Sequence, residues 1–164
     1  MEFFAIDFET TGYERGADNQ PWQLGMAHVL DDRIVETREW LFGPSAVPRS
    51  ADTACANWPE VARSAPSLME QWPELHEFLF NRRLVAHNIA TERTILTRVA
   101  PLTRWGPWVD TLRLAKARYP KLPSYALSDL CEMFGLVPQL EGRTWHDGLY
   151  DAVACAMLAI RMAI

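Results

Sequence analysis

The sequence lacks the features that mark membrane, secreted and strongly basic proteins. Its 164 residues include only 3 cysteines, an odd number with no close pair, so we expect buried thiols and neither a disulfide framework nor a zinc site. No apolar run reaches the roughly 20 residues of a membrane span. The first residues lack the basic start and long apolar stretch of a signal peptide. We therefore expect one soluble, cytoplasmic domain over residues 1–164.

An excess of positive charge is also missing. The chain has 16 Lys and Arg against 21 Asp and Glu, and its formal charge of −5 is unlike that of basic DNA-binding domains. A nucleic-acid partner would then be contacted over a short segment, with bound cations supplying much of the positive charge. Nearly half of the residues, 49%, are hydrophobic, which is typical of a globular protein.

Hydrophobic periodicity predicts an α/β fold. Strands are predicted over residues 3–8, 22–30, 34–42, 84–86 and 108–109, the first three as an antiparallel meander. Helices are predicted over residues 67–79, 89–99, 111–118, 125–134 and 148–164. Residues 43–66, rich in Pro, Ser and Ala, are expected to be loop with a short helix at most. This order indicates a mixed sheet with helices packed on it.

Two carboxylates stand near the end of the first predicted strand. Asp7 and Glu9 alternate with Phe8, so both point to the same face. On a central strand they would repel each other and lose hydration, and a cation bound between them would remove both costs. The alternative is an exposed strand end with two solvated acids.

Two further acids fall within apolar helix faces. Glu92 lies in the stripe formed by Ile89, Leu96 and Val99, and Asp151 lies in the first turns of a helix that is apolar nearly all round. A carboxylate in such a position needs a partner. Bound Mg²⁺ or Mn²⁺ would serve all four acids at once. The alternatives are a rotated helix that exposes Glu92 and a capping role for Asp151.

A histidine precedes the last predicted helix. His146 stands five residues before Asp151, and Asp147 is the better N-cap. From the loop, His146 can lean over the acids and act as a general base near neutral pH. The alternative is an ordinary surface histidine.

Three segments resemble, in order, the motifs of the DEDDh exonucleases. They are residues 4–12 (FAIDFETTG), 84–92 (LVAHNIATE) and 146–152 (HDGLYDA). This group includes the proofreading epsilon subunit of bacterial DNA polymerase III, ribonuclease T and oligoribonuclease. A histidine five residues before the last Asp is the mark of the h subgroup. The second motif departs from the pattern, because it normally carries Asp where this chain has Glu92.

The resemblance implies a ribonuclease H-like fold and a metal-dependent 3′–5′ exonuclease that releases nucleoside 5′-monophosphates. Asp7, Glu9, Glu92 and Asp151 would hold two Mg²⁺ or Mn²⁺ ions, and His146 would be the general base. The departure at Glu92 motivates an alternative, which is a catalytically weak or inactive module of the same fold that binds nucleic acid or a partner protein.

The expected substrate is a single-stranded 3′ end of DNA or RNA. The terminal nucleotide is expected near Thr10, Thr11 and Gly12, with the simple strand-ending turn as the alternative. Asn88, in the second motif, is a further candidate for substrate binding or for bracing the sheet. Arg143 is expected either to contact a phosphate or to be a solvated loop charge. No membrane partner is expected, no polymerase partner is evident, and a homodimer stays open because some relatives dimerise.

Overall fold

The computed structural model describes residues 1–12, 19–44 and 58–164. The strands are β1 (Glu2–Thr10), β2 (Pro21–Leu30), β3 (Arg33–Leu41), β4 (Leu84–Ala86) and β5 (Trp108–Asp110). The α-helices are α1 (Leu68–Leu79), α2 (Ala90–Val99), α3 (Thr111–Arg118), α4 (Leu127–Phe134) and α5 (Gly148–Arg161). The predicted element order is confirmed, with boundaries that differ by at most three residues.

The five strands form one mixed sheet in the order β3-β2-β1-β4-β5. β1, β2 and β3 are an antiparallel meander, and β4 and β5 add to β1 in parallel. The predicted architecture, an antiparallel meander plus parallel strands flanked by helices, is therefore confirmed. Because β1, β4 and β5 run the same way, their carboxyl ends meet at one edge of the sheet.

The side chains of β1 alternate between two cores. Phe4, Ile6 and Phe8 pack on one face with residues of α1 and α2, whereas Phe3 and Ala5 pack on the other face against α5. The odd-numbered positions continue to Asp7 and Glu9. Strand alternation therefore turns both carboxylates toward the face that α5 covers, as the sequence predicts.

Two glycines let α5 begin directly on the sheet. A Cβ on Gly25 of β2 would lie 2.0 Å from the carbonyl oxygen of Gly148, the first residue of α5. A Cβ on Gly148 would in turn lie 3.0 Å from the carbonyl oxygen of Asp7. Any side chain at Gly25 would thus lift the helix. The close approach brings the first turn of α5 next to the end of β1.

Local signals set most helix ends. Ser67 forms a capping box with Glu70 at the start of α1, and Gly135 ends α4 in the left-handed conformation with φ of 67°. Asp147 caps α5 by accepting N–H bonds from residues 149 and 150, as predicted. Of the predicted loop 43–66, residues 45–57 lie outside the described residues, and Glu60–Ala62 form a short 3-10 turn.

The cysteines and the expected lack of a membrane span concern features that are rare or missing in the sequence. Cys131 and Cys155 are free and buried in the described part of the chain, as expected, while Cys55 lies outside it. Within residues 1–12, 19–44 and 58–164, none of the helices has the length and apolar character to cross a bilayer.

Candidate active site

The acids predicted from three distant segments meet at the carboxyl edge of β1. Glu9, His146 and Asp151 each place one ligand atom within 4.8 Å of the others. Asp7 lies deeper, close enough to Glu92, Asp151 and Glu9 for their charges to act on it. The fold therefore brings together all five residues that the sequence assigned to catalysis: Asp7, Glu9, Glu92, His146 and Asp151.

Burial and mutual repulsion make these carboxylates costly to ionise. Burial, with repulsion from Glu92, Asp151 and Glu9, raises the pKa of Asp7 well above its ordinary value. Burial also raises the pKa of Glu9 and brings that of Asp151 to about 6, while His146 opposes both shifts. Acids in these surroundings favour a bound cation or a proton.

Glu92 points into the protein and not to solvent. It is 4% exposed, and burial raises its pKa to about 7 against the opposing effect of the backbone N–H groups of Glu92 and Phe8. The rotated helix considered from the sequence is therefore wrong. The extra methylene relative to the Asp of the resembling motif still leaves the carboxylate inside the cluster.

Two carboxylate oxygens of the cluster have no hydrogen-bond partner within residues 1–12, 19–44 and 58–164. Among the described residues, Glu92 Oε2 and Asp151 Oδ1 are buried and unpaired. A buried, unpaired carboxylate oxygen costs free energy that a hard cation would remove. The donor set therefore fits divalent cations, with Asp7, Glu9, Glu92 and Asp151 as the residues that would hold them.

His146 is held over the cluster by its backbone. It is exposed, it adopts a left-handed conformation with φ of 68°, and its N–H donates to Asp151 Oδ2 at 3.1 Å. A non-glycine residue with positive φ is uncommon and is often found at functional sites. The hydrogen bond to Asp151 fixes the loop, so the imidazole faces the acids while solvent can still reach it.

A polar network that the sequence did not reveal anchors the start of α5. The buried side chain of Gln23 donates to Glu39 Oε1 at 2.6 Å and accepts from the N–H of Gly148 at 2.9 Å. Arg143 pairs with Glu39 at 2.6 Å and with Asp147 at 2.9 Å. Arg143 thus braces the helix start and is neither a solvated loop charge nor free for phosphate. The sequence contains one sign of this network, because Gln23 is a polar residue within an otherwise apolar strand.

The turn after β1 uses its own backbone donors. The N–H of Thr11 donates to the carbonyl of Gln20 at 2.9 Å, and the N–H of Gly12 donates to Asn19 Oδ1 at 3.0 Å. Gly12 has φ of 84°, which explains the glycine. The hydroxyl of Thr11 is also used within the turn, because its Oγ1 accepts from the N–H of Gln20 at 3.1 Å.

His87 and Asn88, two neighbouring residues of the second motif, have different surroundings. His87 Nδ1 lies 2.9 Å from Thr111 Oγ1 and Nε2 lies 2.8 Å from the carbonyl of Tyr125, so His87 braces the sheet end. Burial lowers its pKa, which favours the neutral ring. Asn88 is exposed with φ of 70°, and its N–H donates to Asp110 Oδ1 at 3.1 Å. The side chain of Asn88 forms no hydrogen bond with the residues that the structure describes.

Comparisons with known proteins agree with this geometry. The Exonuclease family model matches residues 4–159, so the chain belongs to the exonuclease family. It is 32% identical over 164 residues to a PolC-type DNA polymerase III of Thermotoga petrophila, covering 97% of this chain but only 12% of that protein. The chain thus spans about an eighth of the length of that curated relative.

Two solved structures share the fold. One is exonuclease X in complex with 5′ overhanging duplex DNA, with a TM-score of 0.72, 23% identity, and 98% of this chain and 90% of that chain covered. The other is the nuclease domain of 3′hExo, a DEDDh family member bound to rAMP, with a TM-score of 0.70, 19% identity, and 99% and 91% covered. These structures, one of them of a DEDDh family member, confirm the ribonuclease H-like fold, and the family match confirms the exonuclease class.

Proposed function

We propose that the chain is a 3′–5′ exonuclease that hydrolyses the terminal phosphodiester bond of a single-stranded DNA or RNA end and releases nucleoside 5′-monophosphates. One observation carries the proposal. Four carboxylates with raised pKa values converge beside an exposed histidine, and two of their buried oxygens lack partners among the described residues. Two divalent cations, Mg²⁺ or Mn²⁺, would satisfy this site.

Each residue has a task that follows from its position. Asp7 and Glu9 on β1 and Asp151 on α5 would hold the cations from two sides, and Glu92 would complete their shell from α2. Bound divalent cations supply the positive charge that activates the attacking water and stabilises the leaving oxygen. His146 accepts the proton of that water on its ring nitrogen, because it is the exposed base that lies beside Glu9 and Asp151.

The preference for a chain end would come from the turn that follows β1. Thr10, Thr11 and Gly12 lie directly beyond Glu9, at the same edge of the sheet as the acids. A turn there, tied to Asn19 and Gln20 by hydrogen bonds, would stop a strand from continuing past the cleaved bond. Asn88, exposed after β4, would contact the penultimate nucleotide.

The test is release of mononucleotides from 5′-labelled DNA and RNA oligonucleotides in Mg²⁺ or Mn²⁺. Asp7→Ala should abolish turnover even in saturating Mg²⁺, because it removes the most central carboxylate. His146→Ala should lower kcat by about 100-fold or more while oligonucleotide affinity changes little, since general-base catalysis contributes on that scale. Exposed Glu77 on α1 offers the matched control, and Glu77→Ala should retain full activity.

Two results would contradict these assignments. Normal turnover of Asp7→Ala would remove Asp7 from the site, and a large loss of binding in His146→Ala would give His146 a structural role. Glu92, in place of the Asp of the resembling motif, also supports a second candidate, a binding module without catalysis. Oligonucleotide binding by the wild-type chain, with no nucleotide release in either metal, would favour that candidate.

A further inference from the structure

A groove with a volume of about 660 Å³ lies between α2 and α3. The residues that matter at its wall are Asn88, Arg93, Arg98, Asp110 and Arg113. Asn88 follows β4 and Asp110 ends β5, so the groove opens at the carboxyl edge of the parallel strands. The acids of the candidate active site lie at this same edge, at the end of β1.

The wall of the groove carries three arginines that form no ion pair with a carboxylate of the described residues. In the part of the chain that the structure describes, none of Arg93, Arg98 and Arg113 forms an ion pair with a carboxylate, whereas Arg38 and Arg143 each pair with two. In a chain of net charge −5, three such cations around one groove form a local positive patch.

Asp110, the one acid among the described residues of the wall, is outnumbered by the three arginines. The Oδ1 atom of Asp110 accepts N–H bonds from Asn88, Leu112 and Arg113 at 3.1, 3.0 and 3.3 Å, so it serves as the cap of α3. Backbone amides at the helix start stabilise its negative charge, which offsets one of the three positive charges and leaves the wall net positive. The groove therefore presents guanidinium groups to a ligand.

The groove is joined to the turn after β1. Arg98 donates from Nη1 to the carbonyl of Asn19 at 3.0 Å, and Asn19 Oδ1 accepts from the N–H of Gly12 at 3.0 Å. One end of the groove thus adjoins the turn assigned to the terminal nucleotide. The other end reaches Arg113 on α3. The groove therefore extends from the neighbourhood of this turn to Arg113, beside the carboxyl ends of β4 and β5.

We propose that this arginine groove holds the phosphodiester backbone of the substrate strand on the 5′ side of the bond to be cut. The inference rests on the proposed function and extends it to the strand beyond the terminal nucleotides. Guanidinium groups bind phosphate oxygens through paired, charge-assisted hydrogen bonds. Since backbone contacts carry no sequence information, the groove accepts any sequence and binds DNA and RNA alike.

The test compares two double variants that change the charge equally. Arg93→Ala/Arg113→Ala removes two groove cations, and Arg98 is kept because it ties the turn. The matched control is Arg33→Ala/Arg104→Ala, since both of those exposed arginines lie near the amino ends of β3 and β5, at the opposite edge of the sheet. Affinity for 5′-labelled DNA and RNA strands of about 12 nucleotides is measured by fluorescence anisotropy. An Asp7→Asn background prevents turnover.

The groove variant should bind the 12-nucleotide strands about 10-fold more weakly. The slope of log affinity against log salt concentration should become shallower by about 1.4, the value for two lost phosphate contacts to a single strand. The control variant should bind like its parent. With native Asp7, hydrolysis of a dinucleotide should stay within about twofold of wild type, because a dinucleotide does not extend past Asn88 to Arg93 and Arg113.

Equal affinity of the groove variant and its parent would overturn the proposal, as would an equal loss in the control. A parallel loss in dinucleotide hydrolysis would overturn it too, because the arginines would then act on the catalytic centre. Dinucleotide hydrolysis by the wild type tests the proposed function separately. If it is absent, that function fails, while the anisotropy comparison still decides whether the groove binds the backbone.

Discussion

Replacement of Glu92 by glutamine should stabilise the metal-free protein at alkaline pH. The carboxylate is 4% exposed, and burial raises its pKa from 4.5 to about 7. A shift of this size corresponds to about 3 kcal/mol, at 1.36 kcal/mol per pKa unit. Glutamine has nearly the same shape and no charge to bury, so Glu92→Gln removes this cost.

The direction in which stability changes with pH follows from the proton affinities of the folded and unfolded states. Below pH 4.5 the carboxyl group is protonated in both states and the folded protein carries no penalty. As the pH rises, the unfolded chain loses its proton first, so stability falls between about pH 4.5 and 7 and then levels off. The raised pKa values of Asp7 and Asp151 act in the same direction.

The assay is thermal unfolding in EDTA at pH 5 and pH 8, followed by titration with Mg²⁺. At pH 8, Glu92→Gln should raise Tm by about 6–12 °C, the equivalent of 3 kcal/mol in a chain of this size. At pH 5 the gain should shrink to under about 1 kcal/mol. Mg²⁺ should stabilise the wild type more than the variant, and the variant should lose nuclease activity.

The exposed Glu77 provides the control, because Glu77→Gln should leave Tm unchanged at both pH values. Equal Tm values for wild type and Glu92→Gln at pH 8 in EDTA would refute the reasoning. So would equal stabilisation of both proteins by Mg²⁺, since Glu92 would then contribute nothing to cation binding.

Two further predictions concern the contacts that hold the start of α5 on the sheet. Gly25→Ala should lower Tm by about 6 °C or more, because the new Cβ would lie 2.0 Å from the carbonyl oxygen of Gly148. This value corresponds to the upper range of the cost of overpacking. A Tm equal to that of the wild type would contradict this packing. Arg143→Met should lower Tm by about 4–8 °C, the equivalent of about 2 kcal/mol, because Glu39 and Asp147 lose a shared, partly exposed partner. It should also reduce kcat more than it changes KM. Glu39→Gln added to Arg143→Met should recover part of the lost Tm, and an unchanged Tm in Arg143→Met would reject the brace.

The amino-acid sequence by itself determined the elements and the identity of the reactive groups. Hydrophobic periodicity and caps such as Asp147 and Gly135 act over a few residues, so the helices and strands could be predicted to within three positions. Acids in apolar faces, such as Glu92, stood out because burial of a charge violates a local rule. Three motifs in order then pointed to one family, which the family match confirms.

Only the tertiary structure decided how these groups are placed and supported. Arg143 reaches Glu39 across 104 residues, and Gln23 reaches the start of α5 across 125. Such partners depend on strand register and on the contact between Gly25 and Gly148, which no local pattern encodes. The arginine groove likewise exists only because parallel strands bring α2 and α3 to one edge of the sheet. Local interactions specify elements over a few residues, whereas a site made of distant segments is set by the packing of the whole chain.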